Sequence, residues 1–339
     1  MGKKILLVED MLTNMLLAPI LESAKYEVYQ TSSFKDAKKE IESGANEFFA
    51  VIIDLNLDDT KDGMIIDYLE EKDLRTIIYS DPIEHSKVED HINKSVVDYV
   101  VKQTSEDSNY ILKLIVNLEQ FENIGLLIVD DSQTTRAMLE TFVKPLRFNK
   151  IHQAEDGIEA LECVKKNENI QLVITDFNMP KMDGFELTQN LRKRYKDSQL
   201  SIISMSAEVS SEESAILLKY GVSSFLGKPY SKAHLNSIIH NEMDNLFAKQ
   251  KNAKFQKDLS AFVRKLKSDN LVSGQEDKAK IIKLEKENHE YQNKLFWLKK
   301  DMETLTTAQE LMKTKLKMQS ERLGQKKGNY KANEIHNGV

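Results

Sequence analysis

The sequence predicts an α/β protein with two doubly wound, five-stranded parallel-sheet domains, followed by long helices that form a coiled coil. Three observations predict this class. Apolar runs of strand character alternate with amphipathic helical stretches, a set of polar residues recurs at about one domain length, and a heptad pattern follows. The 339 residues suffice for two domains and an extension, at about 100 to 200 residues per domain.

Short apolar runs mark the predicted strands. Continuous apolar runs suit strands that are buried on both faces of a parallel sheet. We expect five strands in each half. The clearest runs cover 5–8, 51–53, 77–79 and 96–101 in the first half, and 126–129, 172–174, 202–203 and 222–226 in the second.

Stretches with apolar residues at helical spacing lie between these runs. Strand and helix in alternation indicate a parallel sheet that is covered on both faces. Only residues 122–125 separate the last helix of the first half from the next strand, so we expect the two domains to be closely coupled. The predicted helices cover 11–24, 34–41, about 106–121, 134–143 and 158–164.

The pattern changes after the second half. Helical spacing continues over 235–247, a separate helical segment is expected over 255–266, and the stretch 268–277 is typical of a break. Mostly apolar residues then hold heptad a and d positions over about six heptads, with polar Asn288 and Gln309 at two a positions. A single exposed helix is the alternative, but so continuous a seam needs burial and favours a homodimer. The predicted division is a first domain over 1–122, a second over 123–248, a helical linker over 249–277, the coiled coil over 278–323 and a disordered tail over 324–339.

Composition limits the classes of function. The net charge of −6 argues against dominant binding to nucleic acid or to an anionic membrane. The single cysteine, Cys163, excludes an intramolecular disulfide and favours a reducing compartment. No run approaches the roughly 18 apolar residues of a membrane-spanning helix, and the chain enters a strand directly. We therefore expect a cytoplasmic protein without membrane insertion.

A set of acidic, hydroxyl and lysine residues occurs twice in the same order. Each member closes or follows an apolar strand run, and ligands of open parallel sheets bind just beyond the carboxyl ends of the strands. The repeat therefore predicts two copies of one site. Its members are Asp10, Asp54, Ser80 and Lys102 in the first half and Asp131, Asp176, Ser206 and Lys228 in the second, at offsets of 121, 122, 126 and 126.

The second copy has the chemistry of phosphoryl transfer. Asp130 and Asp131 end one strand and Asp176 ends another, and gathered carboxylates repel one another unless a cation lies between them. A hard ion with oxygen ligands, most simply Mg²⁺, meets that need. Asp176 is placed as a nucleophile towards phosphorus, while Lys228 supplies positive charge and Ser206 a hydroxyl donor. Any one of these residues alone would more often cap a helix or face solvent.

Three segments of the second half carry a family resemblance. The segments 127–132 (LIVDDS), 175–184 (TDFNMPKMDG) and 225–229 (FLGKP) closely resemble the receiver domains of bacterial two-component response regulators, which have a flavodoxin-like fold. The resemblance implies transfer of a phosphoryl group from a phosphohistidine, on a sensor histidine kinase or phosphotransfer protein, to Asp176. It also implies a cis peptide bond before Pro229.

The same resemblance implies further roles in the second half. It implies Mg²⁺ held by Asp131 and Asp176, with Asp130 nearby and the backbone carbonyl of Asn178 as a ligand. It also implies a switch pair of Ser206 and Phe225, in which the hydroxyl moves to the phosphoryl group and the ring turns inward.

The first half also resembles a receiver domain, with three departures. The loop after the acceptor strand is one residue longer and lacks Met-Pro, Asp81 stands where the second half has Ala207, and Gln103 replaces the proline. We therefore expect the second domain to be the principal acceptor, and the first a weaker or regulatory copy or a packing adaptor. Its implied site comprises Asp54 as acceptor, Ser80, Tyr99 and Lys102, with Mg²⁺ on Glu9, Asp10, Asp54 and the backbone carbonyl of Asn56.

No effector is evident in the sequence. It lacks a Gly-Gly-Asp/Glu-Glu-Phe run for cyclic dinucleotide synthesis and a compact basic helix-turn-helix, so no direct DNA binding is predicted. The leading interpretation is a phosphorylation-controlled interaction protein that signals through the dimerising coil to an unidentified downstream protein. We expect no enzyme activity beyond its own phosphorylation and dephosphorylation.

One segment of the coil supports an alternative. Residues 288–295 (NHEYQNKL) resemble the H-box of some dimeric histidine phosphotransfer helices, and His289 falls at an exposed heptad position. The alternative function is a histidine phosphotransferase or aspartyl-phosphate phosphatase that uses His289, Glu290 and Asn293. The simpler interpretation of His289 is a solvated residue on a coiled coil.

Overall fold

The predicted strand runs assemble into two sheets in a computed structural model, which describes residues 2–44, 47–60, 64–82, 96–104, 107–207 and 218–268. The chain divides into two units, Met1–Lys254 and Phe255–Val339, and both sheets lie in the first. The first sheet contains β1 (Lys4–Val8), β2 (Glu27–Thr31), β3 (Phe48–Ile53), β4 (Thr76–Ser80) and β5 (Val96–Val101). The second contains β6 (Gly125–Val129), β7 (Lys150–Ala154), β8 (Ile170–Asp176), β9 (Ser201–Ser206) and β10 (Ser224–Gly227).

Eight α-helices occur in the described part of the chain, and the five that the sequence predicted within the domains agree to within two residues. The sequence analysis did not identify α3 and α7, which are short. The helices are α1 (Met11–Ser23), α2 (Phe34–Glu42), α3 (Met64–Glu71), α4 (Asp107–Phe121), α5 (Gln133–Val143), α6 (Gly157–Lys166), α7 (Gly184–Arg192) and α8 (Lys232–Ser268). A 3₁₀ turn over Lys144–Leu146 follows α5.

Both sheets are parallel and share one topology. The strand orders are β2-β1-β3-β4-β5 and, read from the other edge, β10-β9-β8-β6-β7. This is the flavodoxin-like order, so the predicted α/β class with two doubly wound domains is confirmed. The strand order reverses at β1 and β3 in the first sheet and at β6 and β8 in the second, which places a ligand crevice at the carboxyl ends of those strands.

The second strand of each domain gave no clear apolar run because it lies at a sheet edge. The residues of β2 and β7 are exposed or partly exposed, apart from the buried Ala154 at the end of β7, whereas every residue of β6 and β9 is buried. A strand with one solvated face needs fewer apolar residues, so the continuous-run criterion fails there.

The two sheets share one apolar core. Phe121, at the end of α4, is fully buried and stacks on Phe148 of the second domain, with ring centroids 4.6 Å apart. The ring of His240, on α8, lies 5.4 Å from the same Phe121 ring. Side chains of both sheets, α1, α4 and α8 belong to this one cluster. The close coupling expected from the short connection is therefore observed.

A small polar group crosses this apolar interface. Asn117 Nδ2 donates to Asp244 Oδ1 at 2.8 Å, and Lys113 Nζ lies 2.8 Å from Asp244 Oδ2. Asn236 Nδ2 donates to the Val97 carbonyl at 3.2 Å. Lys113 and Asn117 lie on α4 and Asp244 on α8, so their contacts fix how the two helices align, whereas Asn236 joins α8 to β5.

His240 makes the stability of this interface dependent on pH. Burial is the main cause that lowers the pKa of its imidazole from 6.5 to about 4. The charge of Asp244 raises this pKa and the charge of Lys113 lowers it, but both effects are smaller. Between pH 6.5 and 4 the unfolded chain binds a proton that the folded chain does not, so stability falls as pH falls. We expect His240 alone to remove about 3 kcal/mol by pH 4.

Urea unfolding of the wild type and His240→Gln at several pH values measures this loss. The variant cannot take up the proton and should show a shallower dependence across this window. Identical slopes would show that His240 does not cause the effect.

The α8 helix differs from the sequence prediction. The sequence predicted separate helical segments over 235–247 and 255–266, whereas one helix spans Lys232–Ser268. The intervening stretch 248–254 (AKQKNAK) lacks Gly and Pro and is rich in strong helix formers, so nothing in it ends a helix. The expected coil, tail and H-box-like segment with His289, Glu290 and Asn293 lie outside the described residues. Within the described residues, no helix has both the length and the apolar character needed to cross a membrane.

Candidate functional site

The first domain brings its predicted polar residues together at the carboxyl edge of the sheet. Val8 pairs with Ile53, so Glu9 and Asp54, which follow these residues, lie side by side. The N–H of Asp54 donates to the Val8 carbonyl at 2.9 Å, and the N–H of Lys102 donates to the Ser80 carbonyl at 2.9 Å. The parallel ladder therefore places residues from four separate parts of the sequence in one pocket.

Lys102 lies between the two buried carboxylates of this pocket. Its Nζ is 2.6 Å from Asp54 Oδ2 and 2.8 Å from Glu9 Oε2. Ser80 Oγ donates to the other oxygen of Asp54, Oδ1, at 2.6 Å, and the Asn56 N–H donates to it at 2.9 Å. The candidate acceptor is thus held by an ammonium group, a hydroxyl group and a backbone amide.

Burial controls the electrostatics of Glu9 and Lys102. Glu9 is fully buried, which raises the pKa of its carboxyl from 4.5 to about 8, against the opposite pull of Lys102. Burial also opposes the charge on Lys102, but hydrogen bonds to Asp54 and Glu9 outweigh it and raise the pKa of the ammonium. Glu9 Oε1 has no hydrogen-bond partner among the described residues.

Asp10 is the exposed member of this acidic group. It caps α1, because its Oδ1 accepts from the N–H groups of Leu12 at 2.8 Å and Thr13 at 3.1 Å. The Thr13 hydroxyl lowers the pKa of Asp10. Glu9, Asp10 and Asp54 each offer a carboxylate oxygen within 4.8 Å of the others. Three carboxylates with one unpartnered buried oxygen fit a hard cation such as Mg²⁺.

The second domain has the same contacts between a lysine and two carboxylates, but one of the two distances is longer. Lys228 Nζ is 2.8 Å from Asp176 Oδ1 but 3.4 Å from Asp130 Oδ2. The Ser132 N–H donates to Asp130 Oδ1 at 2.9 Å. Burial raises the pKa of Asp130, with Ser132 and Lys228 opposing it. Asp131 is exposed beside this pair. In the described part of the chain, no acidic group as tight as that around Asp54 surrounds Asp176.

The predicted switch residues of the second domain lie on β9 and β10. Ser206 is buried at the end of β9 and pairs with Gly227, and the Lys228 N–H donates to the Ser206 carbonyl at 2.7 Å. Phe225 is half-buried on β10. The Lys228–Pro229 peptide is cis, as the resemblance implied.

The remaining predicted residues lie in loops or at a strand. Asn56 and Asn178 are exposed two residues after the candidate acceptors, and their roles as carbonyl ligands stay predictions. The Tyr99 hydroxyl donates to the carbonyl of Asp81 at 2.7 Å. The departure at Asp81 therefore coincides with a contact that holds the aromatic ring of Tyr99 beside the loop after β4.

Two further residues support the second site, and sequence reasoning missed both. Arg136 Nη1 donates to the Asp130 carbonyl at 2.6 Å, and the only sequence signal was its position in the helix that follows the acidic pair. Gly184 begins α7, and a Cβ added there would lie 2.4 Å from the Asp176 carbonyl oxygen. The close approach of two backbone segments leaves no pattern in the sequence beyond the glycine itself.

Gly184→Ala should therefore disturb the acceptor strand. The methyl group meets backbone rather than a flexible side chain, so β8 and α7 must separate, and we expect a loss of stability of about 1–3 kcal/mol. Urea unfolding measures it. Gly227→Ala is the matched control because a Cβ there meets nothing within 4 Å, although Gly227 adjoins Lys228. Equal losses in the two variants would contradict the steric argument.

Comparisons with known proteins agree with this geometry. A family model described as the response regulator receiver domain matches residues 126–240, within the second domain. A chemotaxis protein CheY homolog of Campylobacter jejuni is 37% identical over 116 residues, which is 34% of this chain and 89% of that protein. Chemotaxis protein CheY-3 of Vibrio cholerae is 32% identical over 125 residues, 37% of this chain and 95% of that protein.

A solved structure extends the likeness beyond one domain. The crystal structure of a putative two-component system response regulator/GGDEF domain protein matches with a TM-score of 0.63 and 30% identity. The match covers 72% of this chain and 99% of that one, a share too large for a single domain of this type.

Proposed function

Because the chain belongs to the family of response regulator receiver domains, we propose that it accepts a phosphoryl group on Asp176 from a sensor histidine kinase or phosphotransfer protein. The observation that carries this proposal is the contact of 2.8 Å between Lys228 Nζ and Asp176 Oδ1 at the carboxyl edge of the second sheet. This contact places a cation beside the carboxylate that would attack phosphorus, at the sheet edge where ligands of parallel sheets bind.

The proposed reaction is an in-line transfer. An oxygen of Asp176 forms a bond to phosphorus as the bond between phosphorus and the donor imidazole nitrogen breaks. The other ring nitrogen of the donor carries a proton, so the products are an acyl phosphate and a neutral histidine. Lys228 faces the developing charge, and Ser206 supplies a hydroxyl donor to the phosphoryl oxygens. When bound, Mg²⁺ offsets negative charge on the transferring group. The residues that would hold it are Asp130, Asp131, Asp176 and the Asn178 carbonyl in the second domain, and Glu9, Asp10, Asp54 and the Asn56 carbonyl in the first.

We propose Asp54 as a second, subordinate acceptor. Lys102 Nζ and Ser80 Oγ each lie 2.6 Å from one oxygen of its carboxylate, and the acidic group around it fits a cation. The family model matches the second domain rather than the first, which supports Asp176 as the principal acceptor. Tyr99 and Phe225 are the proposed aromatic members of the two switch pairs.

The proposed output runs through α8. This helix starts in the core that both receivers share, so a change at either receiver would reach its first turns. The proposed continuation is the dimerising coil over 278–323, which would present a surface to a downstream protein. Sedimentation of the intact chain tests the dimer, and a monomer at micromolar concentration would exclude this output.

Phosphorylation with a small donor tests the central proposal. The full chain is incubated with acetyl phosphate and Mg²⁺, and the label is located by intact mass and peptide mapping. We expect Asp176→Asn to remove most of the label and the double variant Asp54→Asn, Asp176→Asn to remove all of it, whereas Asp197→Asn, at an exposed ion pair of the same domain, keeps it. Folded wild-type protein that carries no label at Asp176 would contradict the proposal. Omission of Mg²⁺ should also abolish labelling.

A further inference from the structure

A cleft lies at the opposite edge of the first sheet from Asp54, where it meets the second receiver. Two adjoining cavities of about 1070 and 240 Å³ share Asp73, Leu74, Arg75 and Arg147 in their walls. The first three residues lie between α3 and β4, whereas Arg147 follows the 3₁₀ turn of the second receiver. The cleft is therefore built by both receivers and is separate from both acceptor pockets.

Positive charge gathers in this cleft, although the chain carries a net charge of −6. Basic side chains in its walls outnumber the acidic ones by two to one. The basic residues are Lys3, Lys4, Lys72, Arg75, Lys144 and Arg147, and the acidic residues are Glu47, Asp73 and Glu122.

The acidic residues only partly neutralise this charge. One carboxylate, Glu122, forms ion pairs with both Lys3 and Arg75. Arg147 Nη2 lies 2.9 Å from Asp73 Oδ2 and also donates to the Asp73 carbonyl, which joins the two receivers. Among the described residues, no carboxylate lies within ion-pairing distance of Lys72 or Lys144.

Arg75 is the most constrained cation of the cleft. It is only 6% exposed, and it stacks on Phe49 with its Cζ 4.3 Å from the ring centroid. Its Nη2 donates to Glu122, but Nε and Nη1 have no acceptor among the described residues. These two N–H groups are covered by protein atoms, so Arg75 contributes positive charge to the cleft rather than free donors, and this charge favours an oxygen-rich anion in the adjoining cavity.

We propose that this cleft binds a small organic phosphate of about nucleotide size, with Lys144 and Arg147 as the phosphate-binding residues and the charge of Arg75 behind them. Guanidinium groups match the paired oxygens of a phosphoryl group, and lysine adds a point charge. The volume of the larger cavity, about 1070 Å³, lies just above the usual range for small-ligand sites, about 300–1000 Å³, and exceeds what inorganic phosphate fills. A phosphate bound here would lie between Arg75 of the first receiver and Arg147 of the second. It would therefore hold the two receivers together.

Calorimetric titration of the intact chain tests the proposal. The solution contains EDTA so that the acceptor pockets hold no metal, and the probes are pyrophosphate, AMP and adenosine. We expect saturable binding of AMP, weaker binding of pyrophosphate, and none of adenosine. Binding of pyrophosphate without binding of AMP would overturn the proposal of an organic phosphate.

Three variants locate the site. Lys144→Gln and Arg147→Gln should each weaken binding about tenfold, as expected for the loss of one charged contact. Arg194→Gln, an exposed arginine of the same receiver, should leave it unchanged. Far-UV circular dichroism verifies that each variant is folded, and Lys144→Gln keeps the Arg147–Asp73 contact intact. No binding of either phosphate probe, or equal binding by all variants, would overturn the proposal.

Discussion

Phe121→Ala is expected to lower the free energy of unfolding by about 3–5 kcal/mol, the range measured for large aromatic residues removed from protein cores. Phe121 is fully buried at the end of α4 and stacks on Phe148, so its loss leaves a cavity between two domains rather than within one. The packing of His240 against the same ring should loosen as well. Urea unfolding of the intact chain, followed by far-UV circular dichroism, measures the change.

Phe255→Ala is the matched control for this variant. Phe255 is 57% exposed, so the same substitution there should change stability by less than about 0.5 kcal/mol. If the two receivers were independent units with separate cores, Phe121→Ala would unfold one receiver and leave the midpoint of the other unchanged. A single transition shifted as a whole is the expected result.

Lys102→Met should cost about 3–5 kcal/mol when no divalent metal is present. The ammonium group lies within 2.8 Å of carboxylate oxygens on Glu9 and Asp54, and its removal leaves these buried acids facing each other. Methionine retains the length of the side chain, so the loss reports charge more than packing. Thermal unfolding in EDTA measures it.

Magnesium should restore much of the stability that Lys102→Met loses, because a cation bound to the same carboxylates replaces the missing charge. Lys39→Met is the control, since Lys39 is 66% exposed and pairs with Asp36 on the surface. If the Lys102 variant were no more stable in millimolar Mg²⁺ than in EDTA, the acidic group around Asp54 would not be a cation site.

The sequence predicted the part of the fold that depends on local pattern. Strands such as β1 and β6 are buried on both faces, so their apolar character is continuous and visible. Acidic residues of the candidate sites follow these two strands and also close β3 and β8, which is why the repeat located Asp54 and Asp176. Parallel topology then brings their lysines beside them without further information from the sequence.

Features that depend on distant contacts could not be predicted in this way. Phe121 looks like an ordinary apolar residue at a helix end, and only the approach of Phe148 and His240 gives it a structural role. Arg75 precedes β4 as one charged residue among many, and its burial follows from Phe49 and Glu122, which are far away in the sequence. The continuity of α8 was missed for a different reason, since polar residues interrupted the apolar spacing without ending the helix.

The shared core has a practical consequence for dividing the chain. A cut between residues 122 and 123 would separate Phe121 and Ile115 from the residues they pack against. Each fragment would then expose a large apolar surface. Either half produced separately is therefore expected to aggregate or to form non-native dimers. Such association would result from the cut and would not occur in the intact protein. Fragment studies of this chain should keep residues 1–254 in one piece.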